Sequence, residues 1–324
     1  MIHLLPIFMI ITFWLTPMQS AHGASQSLPD LLQHTRFIAY TPRSFSIAGG
    51  KITVATATGI RKDLTLLRPF FNGLITYSTT SGLEAIPQIA HDLAFRSIIL
   101  GIWDPLSETE IQNVIDAAKK YPTLIGAIII GNEGLYTRRY LPQDVEKAMH
   151  QIKKECPDLA VTTSEPFFLY FEKKYSQFFN SHDLLMPNIH PVFEKWFTAS
   201  NPAQGVEMVL EMSEKFKTNY SKPLLIKETG MPGYPRQIGR KDKGFSMERQ
   251  ALFWSDLLKR FPFSPSQSLA CFEAFDAPWK PEEMAATLPG DQSSEAFWGF
   301  FTKDGKAKQV LDALPRLPGS PQDL

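Results

Sequence analysis

The feature that most restricts the fold of this chain is an alternation. Eight short apolar runs are bounded by turn residues: RFIAY from Arg36, LITYS from Leu74, SIILGI from Ser97, LIGAIII from Leu124, LAVTT from Leu159, DLLMPNI from Asp183, PLLIK from Pro223 and LACFEAF from Leu269. Runs this short and this apolar suit strands buried on both faces, as in a parallel sheet covered by helices. Between them lie stretches with helical periodicity. In SETEIQNVIDAAKKY, Ser107 and Glu110 are placed as a capping box, and Ile111, Val114, Ile115 and Ala118 make one apolar face. GLEAIPQIAHDLAF, DVEKAMHQIKKE, GVEMVLEMSEKF and MERQALFWSDLLKRF repeat that character. A strand, a helix and a loop repeated eight times predict an α/β fold of the (β/α)8 barrel type. The structural rival is an open doubly wound sheet, but neither GxGxxG nor GxxxxGK[ST] follows any of the runs.

Composition narrows the partners. Lys plus Arg is 33 and Asp plus Glu is 33, so the formal net charge is zero. No basic stripe exists to collect phosphates, which excludes nucleic acid, and the balance fits an uncharged ligand. At 44% hydrophobic the 324 residues can bury a sizeable core. The division expected is a signal peptide over residues 1–23, a single barrel domain over 24–313 and a Pro-rich, frayed tail, LPRLPGSPQDL, over 314–324. The leader's apolar run, Leu4 to Leu15, is shorter than the roughly 20 residues that span a bilayer. An uncleaved anchor is the rival reading, since the segment before the run has no Lys or Arg. A secreted or periplasmic monomer with no stable membrane insertion is expected. Cys156 and Cys271 cannot make a disulfide scaffold, although one bridge between them is open if the fold brings them together.

In such a barrel the active site is built at the C-terminal ends of the strands. The fourth run closes as GAIIIGNEGLY, placing Asn132 and Glu133 directly after an apolar strand, and the seventh closes as LLIKETGMPG, placing Glu228 in the equivalent position. One Glu at a strand end is ordinarily a solvated residue or a charge at a helix N-terminus. Two of them, at the fourth and seventh ends of an eight-unit ring, can present two carboxylates to one bond. Glycoside cleavage needs that pair, one group to protonate the leaving oxygen and one to attack or to activate water.

The segments GNEGLY, SEPFFLY, NIHPVFEKW, IKETGMPG and FEAFDAPWK resemble, in order, the barrel-strand motifs of glycoside hydrolase family 17, the β-1,3-glucanases and β-1,3-glucanosyltransferases. The resemblance runs from about Phe37 to about Gly305 and is nearer the bacterial and fungal members than the plant ones. It implies a retaining enzyme acting on β-1,3-glucan or a related neutral oligosaccharide, without metal or organic cofactor. It places the acid/base on Glu133, the nucleophile on Glu228, the contact to the sugar 2-hydroxyl on Asn132, and the family's later Lys and Glu on Lys280 and Glu295. Where relatives often read FEAFDEPWK this chain has Ala277, which bears on the subsites and leaves both carboxylates in place. A glucanosyltransferase would use the same two residues. A barrel that binds glucan without turnover would not need both.

The pair has physical requirements of its own. Glu133 must stay protonated near neutrality, through partial burial and the charge of Glu228, while Glu228 stays ionised. Strand alternation sends Lys227 to the face opposite Glu228, which leaves Lys280 as the expected local cation. Retention asks for carboxyl groups about 5 to 5.5 Å apart, inversion for about 6.5 to 9.5 Å. Aromatic rings suited to pyranose faces gather at the strand ends. Tyr40, Tyr77, Tyr136 and Trp279 are assigned to a groove together with Phe275, and most of the 24 Phe to the core. Phe193 and Trp196 belong to the same cluster, while Trp103 and Trp298 suit groove and core equally. His190 either bonds a sugar hydroxyl or orients a carboxylate, and Glu165 either lines the site or tunes Glu133. No HExxH or GxSxG is present.

The leader has a consequence that can be checked directly. Ala21 and Gly23 stand as the −3 and −1 residues of a cleavage site. The mature protein is expected to begin at or near Ala24 and to be recovered outside the cytoplasm. N-terminal sequencing of the native protein that returned Met1 from a cytoplasmic fraction would reject this.

Overall fold

The computed structural model describes residues 26–234, 244–286 and 290–318. The leader expected over 1–23 lies outside these residues, as does the tail from 319 onward. Seven strands form one parallel sheet: β1 (Phe37–Ala39), β4 (Gly73–Ile75), β5 (Ser97–Ile102), β6 (Ile125–Asn132), β7 (Ala160–Ser164), β8 (Leu224–Ile226) and β9 (Gln267–Cys271), in the order β7-β6-β5-β4-β1-β9-β8. Two further strands, β2 (Ser46–Ala48) and β3 (Lys51–Thr53), pair as a hairpin outside it. Its two-residue turn is Gly49 and Gly50, both at positive φ, the usual backbone of a tight hairpin.

The sixth apolar run closes the ring without forming a regular strand. Asp183 N donates to Val161 O at 3.2 Å and Asn188 N to Glu165 O at 3.0 Å on the β7 side. On the β8 side Leu185 N donates to Pro223 O at 2.8 Å, Lys227 N to Pro187 O at 2.9 Å and Ile189 N to Glu228 O at 2.8 Å. Pro187 has no N–H to give, so the ladder breaks into isolated bridges. The eight-unit barrel is therefore present, with its sixth staple irregular for that reason.

Side-chain alternation divides the apolar residues into two layers. Phe37, Ile75, Ile99, Ala127, Ile129, Ala160, Leu184, Met186, Leu225 and Ala270 fill the inside of the ring. Their neighbours Ile38, Leu74, Ile98, Ile128, Val161, Leu185, Leu224 and Leu269 face outward against the helices. Those helices are α2 (Ala57–Leu67), α3 (Ile86–Asp92), α4 (Glu108–Lys120), α5 (Pro142–Glu155), the short α6 (Ser176–Asn180), α7 (Pro202–Asn219), α8 (Met247–Arg260) and α9 (Lys280–Ala285), preceded by α1 (Leu28–His34). In α4 only half of the expected capping box is made. Ser107 Oγ accepts from Glu110 N at 3.3 Å, but the Glu110 carboxylate accepts from Trp103 N at 2.5 Å and Ser78 Oγ at 2.8 Å. Burial explains the turn away from the cap, because the main chain leaving β5 needs an acceptor there.

The lower end of the ring is plugged by α1. Leu31 and Leu32 join the inner layer, and Asp30 holds Arg96, just before β5, at 2.7 Å. The start of the tail does not fray. Pro315 O accepts from Arg36 at 2.7 Å and Leu317 N donates to Pro69 O at 2.8 Å. Cys156 and Cys271 are both free thiols. Among the described residues no helix is long and apolar enough to cross a membrane.

Leu31 is fully buried in the plug. Leu31→Ala is expected to lower stability by about 3 kcal/mol, the usual cost of a lost leucine plus its cavity. Urea denaturation showing a loss under about 1 kcal/mol would mean the plug is not packed as described.

Candidate active site

The loop after β6 is shaped around one tyrosine. Gly131 has φ +76°, and a Cβ on Gly131 or Gly134 would overlap the ring or hydroxyl of Tyr140. Tyr140 Oη accepts from Gly134 N at 3.1 Å and donates to Glu165 Oε1 at 3.2 Å. Between the two glycines Glu133 itself has φ +53°, an uncommon conformation for a residue with a Cβ, costing on the order of 1 kcal/mol. Its backbone is held there by Glu133 N donating to Ser164 O at 2.8 Å and by Thr137 N donating to Glu133 O at 2.9 Å. The spacing G-N-E-G is thus a steric requirement of the turn that aims Glu133 into the barrel mouth.

Glu228 follows β8, and its carboxylate stands against Glu133. The nearest ligand atoms of Glu133, His190 and Glu228 all lie within 4.8 Å of one another. Tyr77 Oη donates to Glu228 Oε1 at 2.9 Å, and His190 Nε2 sits 3.3 Å from Oε2. Asn188 Nδ2 donates to Glu133 Oε1 at 2.9 Å and to Asn132 Oδ1 at 3.0 Å, and its own Oδ1 is fixed by Ser164 Oγ at 2.9 Å.

Lys227 overturns an expectation. Its Nζ donates to Glu228 Oε1 at 2.5 Å and to Asn132 Oδ1 at 2.9 Å, and lies 4.2 Å over the Tyr77 ring. Alternation holds along β8, but Leu225 is its inward residue, so Lys227 two positions on is inward as well. Lys227 and Glu228 both follow the end of β8, and Glu228 bridges in parallel to Asn188 of the sixth run. The expected cation, Lys280, instead pairs with Glu273 at 2.6 Å.

The electrostatics of the two carboxyls diverge. Enclosure raises the Glu133 pKa and the charge of Glu228 raises it further, against the opposing pull of His190, Asn188 and Lys227. Burial works the same way on Glu228, but Lys227 and His190 outweigh it and hold that carboxyl well below the usual range. One group is therefore biased toward its acid form and its neighbour toward its anion, the direction of division that acid catalysis beside a nucleophile requires. Tyr77 is raised well above its usual value by burial and by Glu228 and Glu273, so it remains a donor.

The other expected site residues divide. Asn132, Tyr77, His190 and Lys280 lie in or beside this cluster. Glu295 is buried with Oε1 unpartnered, its pKa raised to about 7 by burial, with Glu273 and Glu133 adding to the rise. Tyr136 is 46% exposed on the rim and meets Phe168 edge-on at 5.6 Å. Trp279 is half-buried against Phe45 at 5.9 Å and lines a small crevice with Arg43, Glu273 and Ala277. Phe193, Trp196 and Trp103 are exposed, the last under the Arg139 guanidinium at 4.0 Å, while Trp298 is fully buried against His190 at 5.2 Å.

Three residues expected on the groove are placed inside the wall. Tyr40 is buried, with its hydroxyl on Asp63 at 3.2 Å and Phe275, also buried, edge-on at 6.3 Å. Glu165 is fully buried and accepts from Leu135 N at 2.9 Å and Tyr136 N at 3.2 Å, so it clamps the Glu133 loop from beneath. For Tyr40 and Glu165 a helix residue or the main chain reaches the polar tip before any ligand can, while Phe275 packs among rings in the core. Conversely, Asn188 and Glu273 belong to the cluster and went unassigned, although NIHP and FEAF placed both at strand ends.

A family model described as the BtgE/BtgC glycoside hydrolase domain matches residues 38–299. Among curated proteins, the chain is 22% identical over 261 residues to a glucan 1,3-beta-glucosidase of Arthroderma benhamiae, covering 78% of this chain and 83% of that protein. Among solved structures it is similar to an active-site mutant of the Rhizomucor miehei β-1,3-glucanosyltransferase in complex with laminaritriose. The TM-score is 0.63 and the identity 21%, over 86% of this chain and 96% of that one. A second structure of that enzyme, described as glycoside hydrolase family 17, gives a TM-score of 0.61. An endo-laminarinase from Formosa gives 0.66 at 18% identity, over 85% of both chains. These folds agree with the barrel derived above.

The raised pKa of Glu295 makes a stability prediction. Between its ordinary 4.5 and about 7 the folded state keeps a proton that the unfolded state has released, so this group's contribution falls as pH rises through that window. Glu295→Gln is therefore expected to exceed the parent in stability by about 2 to 3 kcal/mol at pH 8, with the advantage vanishing toward pH 5. Thermal melts at the two pH values check it; a variant less stable than the parent at pH 8 contradicts the assignment.

Proposed function

The chain belongs to the BtgE/BtgC glycoside hydrolase domain family, and from that membership we propose that it cleaves β-1,3-glucan with retention, through a covalent glycosyl-enzyme. The observation that carries the mechanism is the pair itself. Glu133 and Glu228 bring carboxylate oxygens within 4.8 Å of each other, with one group biased toward its acid form and the other toward its anion. That spacing supports direct attack, since inversion needs room for a water between the groups.

In the first step a Glu228 oxygen bonds to the anomeric carbon as the glycosidic C–O bond breaks, and the leaving oxygen takes the bond pair and the proton of Glu133. In the second step Glu133, now a carboxylate, takes a proton from an incoming water whose oxygen displaces Glu228. Tyr77 and His190 hold the attacking carboxylate on its two oxygens, and Asn132 and Asn188, bonded to each other beside Glu133, are the side chains that would meet the sugar hydroxyl next to the reacting carbon. A glucan hydroxyl entering in place of water would give transfer. The exposed Tyr136 and Phe168 pair beside Glu133 offers an acceptor sugar an apolar platform, and this supports that second reading. The substrate assignment rests on the family resemblance and on zero net charge, because an anionic glycan would need several cations in the groove. The leader sequence supports action outside the cytoplasm.

The proposal predicts a division between two variants. Glu228→Gln abolishes glycosyl-enzyme formation on every substrate. Glu133→Gln loses about 10²- to 10⁴-fold on laminarin yet still turns over an aryl glycoside whose leaving group needs no proton. With that substrate the alkaline limb of the pH profile disappears, because activity is lost at high pH only through deprotonation of Glu133. The measurements are rates on laminarin, carboxymethylcellulose and polygalacturonate, with chromatography of the products over time. Near-normal laminarin turnover by Glu228→Gln, or preference for either of the other polymers, would reject the proposal; elongated products would assign transfer.

A further inference from the structure

The mechanism as it stands leaves one group unexplained. Lys227 is fully buried beneath the site, a position where an ammonium is costly unless the surroundings keep it charged. Those surroundings are unusual in joining both reacting carboxyls. Its Nζ donates to Glu228 Oε1 at 2.5 Å and to Asn132 Oδ1 at 2.9 Å; Asn132 Oδ1 also accepts from Asn188 Nδ2 at 3.0 Å, and that same nitrogen donates to Glu133 Oε1 at 2.9 Å. One hydrogen-bonded chain therefore runs from Glu228 through Lys227, Asn132 and Asn188 to Glu133, with the Tyr77 ring 4.2 Å beneath the ammonium.

From this geometry we propose that Lys227 is a positioning residue that acts as one fixed counter-cation for both carboxyls in turn. This rests on the two-carboxylate reading above. Before the first step the three groups are a neutral acid, a carboxylate and an ammonium, with a net charge of zero. Attack turns Glu228 into a neutral ester, and proton transfer turns Glu133 into a carboxylate, so the net charge is zero again. The negative charge has moved from one end of the chain to the other and the cation has stayed still. A buried site whose total charge does not change needs little reorganisation between steps.

The other groups facing the pair do not supply this balance. Tyr77, on the loop after β4, is neutral and donates to Glu228. His190, on the sixth run, contacts Glu228 Oε2 only and approaches Glu133 without a hydrogen bond. Lys280, at the start of α9, is committed to Glu273 at 2.6 Å, and Glu273 and Glu295 add negative character. Lys227 alone of these is bonded toward both ends.

The test is the pH profile of Lys227→Met and Lys227→Gln, each close in length to lysine and uncharged. Loss of the cation raises the pKa of Glu228, which moves the acid limb to higher pH, and raises that of Glu133, which moves the alkaline limb the same way. Both limbs of kcat/KM on laminarin, whose leaving oxygen needs the proton of Glu133, are expected to move up together by about one pH unit or more. A profile that falls in height with both limbs in place would show Lys227 to be a space-filling residue and overturn the proposal. A second readout needs neither substrate nor any change at Lys227. In the parent protein labelled with ¹³C at Glu carboxyls, the signal absent from Glu228→Gln is expected to show no titration down to about pH 4. An ordinary titration between pH 4 and 5 overturns the proposal. A parent with no glycosidase activity but with this depressed titration would instead sink the functional reading and leave the cation assignment standing.

Discussion

Closure of the parallel ring is the constraint on which the rest of the molecule depends. A parallel sheet left open between β7 and β8 would expose main-chain donors and acceptors at the point where Glu133 and Glu228 must approach each other. The sixth run closes that gap with hydrogen bonds to both neighbours despite Pro187. The same segment then supplies Asn188 and His190, one to each carboxyl. Irregularity and chemistry coincide there for a physical reason. Main chain released from a regular ladder can turn its side chains toward the mouth instead of alternating between core and helix layer.

The ring also decides which polar residues remain available. Tyr40 and Glu165 stand at strand ends, as Glu133 and Glu228 do, yet Asp63 and the amides of Leu135 and Tyr136 bind their polar tips within the wall. Glu133 at the mouth and Glu165 beneath it are thus two glutamates in one neighbourhood with different surroundings. Glu133 is held in an unfavourable backbone conformation by its surroundings, and Glu165 is part of those surroundings.

Much of this was legible from spacing. Apolar runs at a regular repeat, GNEG and KETG gave the barrel, its working rim and the two carboxyls, because those signals are local and strong. Lys227 shows where the reasoning failed. Alternation is the right rule, but its phase is set by Leu225, which lies within the strand, and not by Glu228, which lies past its end. The half-made cap at Ser107 has another origin, since a partner distant in sequence, Ser78, competes for the Glu110 carboxylate. That tertiary contact changes the meaning of a local pattern, as does the burial of Tyr40 by a residue on α2.

The plug formed by α1 gives the molecule a polarity along its axis. Leu31 and Leu32 enter the ring from the end where the strands begin, and the Asp30–Arg96 pair fixes the helix there, opposite the rim that carries Glu133 and Glu228. The described chain therefore begins at the floor of the barrel, and the rim that carries Glu133 and Glu228 stays clear of that end, free to admit a long polymer chain along its width.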